Sequence, residues 1–245
     1  MDGSPWIDGS REHLPAFAAW NIDARLMVVT PDPTPGYMVL AFEHLNPGLK
    51  LVGLCSEEDE VLDVIDQTKP THIAVCSDLE RGDGASAIVK IKRKDPNIRT
   101  MLVCRSKRMG KNLQIAFQAG CDVIILRRKI GGGRLYDAYR VFFKHGAFCD
   151  PELQMQLVDR TAERQRVKSD ITEREQEVLV ELVYGHTNAE ISKRLGLQET
   201  TVKHHMHNLM QKLSVNNRAH LASRCLRLGL CSWGLADNGP PTFIH

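Results

Sequence analysis

The stretch ETTVKHHMHNLMQKL, Glu199 to Leu213, places Lys203, His204, His205 and His207 within five consecutive residues. Three kinds of chemistry use such a cluster: metal ligation, proton transfer and recognition of a polyanion. His204 and His207 have helical i, i+3 spacing, but local spacing sets no Cys, Asp or Glu beside them to complete a metal site. General acid–base catalysis lacks a Ser, Cys or carboxylate placed next to them, so no nucleophile–base constellation supports an enzyme. Charge distribution favours the third kind. The formal net charge is only +2, yet from Thr200 to Ala236 there is no acid, while Lys203, Lys212, Arg218, Arg224 and Arg227 are all present. A local basic region on a near-neutral chain is the footprint of a polyanion binder.

On a helical wheel Val202, Met206, Leu209, Met210 and Leu213 share one arc and form a stripe to be buried. Lys203, His204, His207 and Gln211 lie outward, and His205 and Lys212 sit on the flanks. A helix anchored this way offers donors to base edges in a DNA major groove. The elements before it read as a helix-turn-helix. TEREQEVLVELVYG opens with Thr172 three residues before Glu175, a capping-box pattern that makes Glu175 a structural acid, and ends at Gly185. NAEISKRLG opens with Asn188 as its cap and closes at Gly196. NRAHLASRCLRLG follows as a fourth helix.

Upstream, the apolar runs RLMVV, LKLVGLC, THIAVC, IRTMLVC and CDVIIL alternate with amphipathic segments between Asp23 and His145. Strands apolar on both faces belong to a parallel sheet covered by helices. The fold class is therefore an α/β doubly wound five-stranded parallel sheet followed by an all-α four-helix domain. Residues 1–22 read as an N-terminal extension, 23–147 as the α/β domain, 148–169 as a helical linker, 170–230 as the helix-turn-helix domain and 231–245 as a tail without periodicity. The seven cysteines are scattered without a CxxC pair, which argues against a secreted disulfide framework. No signal-peptide pattern and no apolar run of about 20 residues is present, so a cytoplasmic location without membrane association is expected.

ITEREQEVLVELVYGHTNAEISKRLGLQETTVKHHMHNLMQKLSVNNR resembles, without a gap, the DNA-binding domain of LuxR/NarL/FixJ-type bacterial transcription regulators. The resemblance implies a homodimer that binds double-stranded DNA through the helix Glu199–Leu213. By matched position Lys203, His204 and His207 are base-facing, while Lys193, Thr201 and Arg218 contact the backbone. Asn188 matches the cap of the second helix. Gln198 stands where Ser or Thr is usual, which weakens a cap. His204 and His207 replace small or basic residues, so no target sequence carries over.

The α/β part resembles the receiver domains of the same regulators, in its five-unit order and in QAGCDVIIL. A receiver needs an acidic pair after the first strand for Mg²⁺, an Asp ending the third, Thr or Ser after the fourth and Lys after the fifth. Those slots fall on Thr30 and Pro31, Cys76, Cys104 and Arg127, with Asp32 and Asp78 displaced by one and two residues. Four changes in one pocket predict a degenerate receiver that accepts no phosphoryl group and holds no cofactor or metal. Cys76 and Cys104, at the ends of adjacent strands, read either as a redox-sensing disulfide pair or as buried filler. The glycine-rich RRKIGGGR matches no phosphate-loop spacing. Two functions follow: a phosphorylation-independent DNA-binding regulator, or an interaction or redox-sensing module whose receiver-like domain engages another regulatory protein.

Overall fold

The computed structural model describes residues 22–44, 46–105, 110–127, 134–158, 162–234 and 240–244. The N-terminal extension to residue 21, most of RRKIGGGR and residues 235–239 of the tail lie outside them. Each apolar run forms a strand: β1 Ala24–Val29, β2 Leu49–Cys55, β3 His72–Cys76, β4 Arg99–Cys104 and β5 Val123–Leu126. They alternate with helices α1 Thr34–Glu43, α2 Val61–Thr68, α3 Gly84–Lys94 and α4 Gly110–Gln118. The strands pair in parallel in the order β2-β1-β3-β4-β5. Every residue of β5 is buried, as expected for a strand covered on both faces, whereas β2 at the sheet edge is half-buried over Leu51–Gly53. The helices present short apolar stripes at helical spacing: Val61 and Ile65 on α2, Ala85, Ile88 and Ile91 on α3. The Asp83 carboxylate caps α3 by accepting from Ser86 N at 3.0 Å.

The chain divides into two compact units at Tyr136/Asp137. Helix α5, Arg134–Phe143, crosses that point. The second unit continues with β6 Phe148–Cys149, α6 Pro151–Leu157 and α7 Ala162–Asp170. Helices α8 Glu173–Tyr184, α9 Asn188–Leu195, α10 Glu199–Lys212 and α11 Arg218–Arg227 follow, then the strands β7 Cys231–Trp233 and β8 Pro241–Phe243. Helix α8 supplies the centre of its core through Val178, Leu179, Leu182 and Val183, all fully buried. Ile191 of α9, Val202 and Leu209 of α10, and Leu221 and Cys225 of α11 are equally inaccessible.

Three readings from sequence change here. The segment taken as the start of a linker is core: Gln154 of α6 is buried and donates to Leu226 O at 3.1 Å and Cys231 O at 2.7 Å. The tail is not structureless, because β7 and β8 pair antiparallel and Trp233 is 3 % exposed. Accordingly this hairpin adds strands to an otherwise helical unit, and β6 is counted in the α/β sheet, which has six strands where the sequence reading gave five. The first helix-turn-helix element is capped by Thr187, one residue before the expected Asn188. Thr187 has the extended backbone of a cap and exchanges hydrogen bonds with Glu190, while Asn188 is already helical.

Candidate nucleic-acid interface

The local sequence of α10 produces the two-sided helix read from its spacing. Val202, Met206, Leu209 and, just beyond it, Leu213 are buried, whereas Lys203, His204, His207 and Gln211 are exposed. Lys203 pairs with Glu199 one turn earlier at 3.1 Å, and its side chain remains 62 % exposed. An exposed i, i+4 pair of this kind holds only a few tenths of a kcal/mol, so the ammonium is free to change partners. His204 Nε2 lies 3.2 Å from Asn208 Nδ2, and His207 Nε2 lies 3.0 Å from Gln211 Nε2. Gln198 begins the helix without a side-chain cap, as its departure from Ser or Thr suggested.

Long-range contacts set the angle of that helix. Lys212, read as a flank residue, donates to Asp170 O and to Glu175 Oε2, both at 2.7 Å. The same Glu175 oxygen accepts from Thr172 N at 2.8 Å, so the capping box of α8 also anchors the end of α10. Burial raises the Glu175 pKa, but hydrogen bonds from Lys212 and Thr172 outweigh it and hold the carboxyl below its ordinary range. Lys212 is a positioning residue that spacing alone did not reveal, because its partner lies 37 positions away.

The remaining candidates divide. Lys193 on α9 is exposed and Thr201 on α10 is half-buried, both open to a backbone contact. Arg218 turns inward: it donates to Asn188 Oδ1 at 3.0 Å and to His186 O, and burial pulls its guanidinium down to about 10. Asn188 therefore serves as its acceptor, and the two residues tie α11 to the α8–α9 turn. His186 in that turn bonds Glu181 Oε2 at 2.5 Å, an oxygen shared with Arg194 at 2.7 Å.

In the first unit the receiver-like slots form a different kind of place. Thr30 is buried, and its Oγ1 accepts from the Cys76 thiol at 3.4 Å. Asp32 is turned to α1, where Thr34 N donates to it at 2.9 Å. Hydrogen bonds from Thr34, aided by the charge of Arg127, lower its pKa. Asp78 accepts from Ser77 Oγ at 3.1 Å and from Arg105 at 3.2 Å. In a doubly wound sheet ligands enter where the strand order reverses, here between β1 and β3. The loops after β2 and β3 lace together there: Glu58 N donates to Arg81 O and Glu80 N to Ser56 O, each at 3.0 Å. Arg81 bridges Glu57 at 2.9 Å. Gly82 makes the closure possible, since it adopts φ +87° where a Cβ would meet the Glu58 side chain at 2.4 Å.

The two pocket cysteines do not face each other. Cys76 is in register with Val103, so Cys104 stands one position further along β4. Successive strand residues point to opposite faces, which places the two thiols on opposite sides of the sheet. Both are unbridged, Cys104 buried and Cys76 half-buried, and this register does not favour a disulfide between them. Among the described residues no group of three or more His, Cys, Asp or Glu is placed to hold a metal ion. No helix among them is long and apolar enough to cross a membrane.

Residues 169–225 match the family described as bacterial regulatory proteins, luxR family. Over 170 residues, 69 % of this chain and 80 % of the relative, the sequence is 28 % identical to the response regulator protein VraR of Staphylococcus aureus. Among solved structures, RcsB of Salmonella typhimurium aligns over 81 % of this chain and 96 % of its own at 16 % identity with a TM-score of 0.46. The response regulator ChrA of a heme-sensing two-component system aligns over 84 % and 97 % at 19 % identity with a TM-score of 0.42. Residues 169–225 thus match the luxR family of bacterial regulatory proteins, within a chain that is similar over 170 residues to a response regulator.

Proposed function

We propose that this protein is a sequence-specific, cytoplasmic transcription regulator that binds DNA as a homodimer and takes no phosphoryl signal. The observation that carries the reading is the outward face of α10, where Lys203, His204 and His207 stand exposed opposite the buried Val202, Met206 and Leu209. Donors held on a rigid helix suit guanine O6 and N7 in the major groove. Lys193 and Thr201 are the backbone contacts. Arg218 and Asn188 contribute by fixing the turn between α8 and α9.

The test is selection of bound genomic fragments with the purified full-length protein, followed by titration of a recovered duplex. Lys203→Ala is expected to weaken the selected site by about 1–3 kcal/mol and random DNA by less. An equal loss on both would make Lys203 a phosphate contact instead.

Independence from phosphorylation is supported by what fills the strand ends. A phosphoaspartate site needs clustered carboxylates around Mg²⁺. Here Asp32 is engaged with Thr34, Asp78 with Arg105, and Cys76 with Thr30. Incubation with a small phosphodonor and Mg²⁺ should leave the intact mass unchanged. A single phosphoryl adduct that disappears in Asp78→Asn would overturn this part of the proposal.

A further inference from the structure

The geometry of α10 points to proton-linked DNA recognition: we infer that His204 and His207 take up protons as the helix enters the groove, so that affinity rises as pH falls. This rests on the proposal that α10 contacts DNA.

Each of the two imidazoles has a side-chain amide one turn along the helix, Asn208 for His204 and Gln211 for His207. With the amide nitrogen facing the ring, the amide donates and Nε2 accepts, which in a neutral ring puts the N–H on Nδ1. Such a partner is reversible. Turned over, the amide presents its oxygen and accepts from a protonated ring, so each histidine keeps its neighbour in both charge states. Neutral, the ring offers one donor to DNA; charged, it offers a positive charge and donors on both nitrogens.

Among the described residues no carboxylate is paired with either ring. On α10 itself Glu199 is committed to Lys203 at 3.1 Å, and the other nearby titratable ring is His205, 6.3 Å from His204. Helices α8, α9 and α11 pack against α10. Most of their charged groups are engaged elsewhere. On α8, Glu175 holds Lys212, Arg174 pairs with Glu177, and Glu181 holds His186 and Arg194 of α9. On α9, Glu190 is in the Thr187 capping box. On α11, Arg218 bonds Asn188, His220 bonds Asn217 and Arg227 donates to Ser223. Lys193, on α9, is exposed, as is Glu173 at the far end of α8, and Arg224 of α11 is half-buried. None of these ion pairs or side-chain hydrogen bonds involves His204 or His207, so the field of the DNA phosphates becomes the term that draws protons to them. Histidine is the side chain whose charge changes between about pH 5 and 8, so the effect falls within physiological range.

Affinity of full-length protein for a selected duplex is measured by fluorescence anisotropy from pH 6 to pH 8 at constant ionic strength. If phosphates hold each proton one pKa unit more firmly, affinity should rise about 6-fold per histidine from pH 8 to pH 6, about 40-fold for the pair. Binding titrated by calorimetry in two buffers of different ionisation heat should show net proton uptake. His204→Gln with His207→Gln should abolish both the slope and the uptake, while His205→Gln retains them. A slope that is absent, or that survives in the double variant, overturns this inference and leaves the DNA-binding proposal standing. Failure of the wild-type protein to bind any selected duplex at any pH overturns both.

Discussion

Replacing Asp122 with alanine is expected to destabilise the first unit by about 3–5 kcal/mol, seen as an early loss of its helical signal in urea. Asp122 is fully buried and receives hydrogen bonds from Lys92 Nζ at 2.7 Å, Thr100 N at 2.8 Å, Thr100 Oγ1 at 3.1 Å and from Arg99. The carboxylate compensates two cations that are themselves buried, Arg99 at 2 % and Lys92 at 7 % exposed. Without it both charges remain in the interior, which is more costly than losing the hydrogen bonds alone. The pH dependence has a definite sign. Burial raises the Asp122 pKa, but Arg99 and Lys92 lower it further, so the folded value lies below the unfolded one. Its contribution is therefore fully present above the unfolded pKa and is lost as pH falls through the folded value. A loss below about 1 kcal/mol in Asp122→Ala would mean that water reaches the two cations, contrary to their burial.

Trp233→Ala should cost the second unit about 3–5 kcal/mol, the range for removing a large buried aromatic. Its ring lies 5.0 Å from Phe148 and 5.6 Å from Tyr184, and its Nε1 donates to Ala147 O at 3.0 Å. Tyr184 in turn carries the Arg140 guanidinium 3.5 Å above its ring and lies 4.7 Å from the His186 ring. The stack therefore supports the turn that leads into α9. Thermal unfolding of the full-length variant should show the loss, together with weaker DNA binding at temperatures where the wild type is still folded. Trp233→Phe should recover most of the stability, because it keeps the stacking and gives up one hydrogen bond. If alanine at this position leaves the melting profile unchanged, the hairpin is not part of the domain's core.

The two large effects differ in how visible they were beforehand. Asp122 sits in CDVIIL, a run whose apolar content announced a strand, but nothing local marks its carboxylate as the partner of residues 30 and 23 positions earlier. Trp233 lies in a stretch with Gly and Pro signals and no periodicity. Its burial depends on Phe148 and Ala147, more than 80 residues upstream, so no window of sequence could expose it.

What the sequence determined by itself is what short-range physics decides. The capping box of Thr172 and Glu175, the glycine stops at Gly185 (φ +95°) and Gly196 (φ +65°), and the buried stripe of α10 need only neighbours within a turn or two. The five strands followed from runs too apolar to face water on either side. Only the tertiary structure decided which groups those elements bring together. Register put Cys76 opposite Val103 and sent Cys104 to the other face, an outcome that depends on pairing between strands and on a period of two. Arg218, a candidate for DNA backbone by position, satisfies Asn188 and the carbonyl of His186 because the fold brings them within reach 30 and 32 residues apart. The end of α10 is held by Lys212 on Glu175, so the residue that aims this helix lies on its flank and owes that role to a carboxylate buried on another helix.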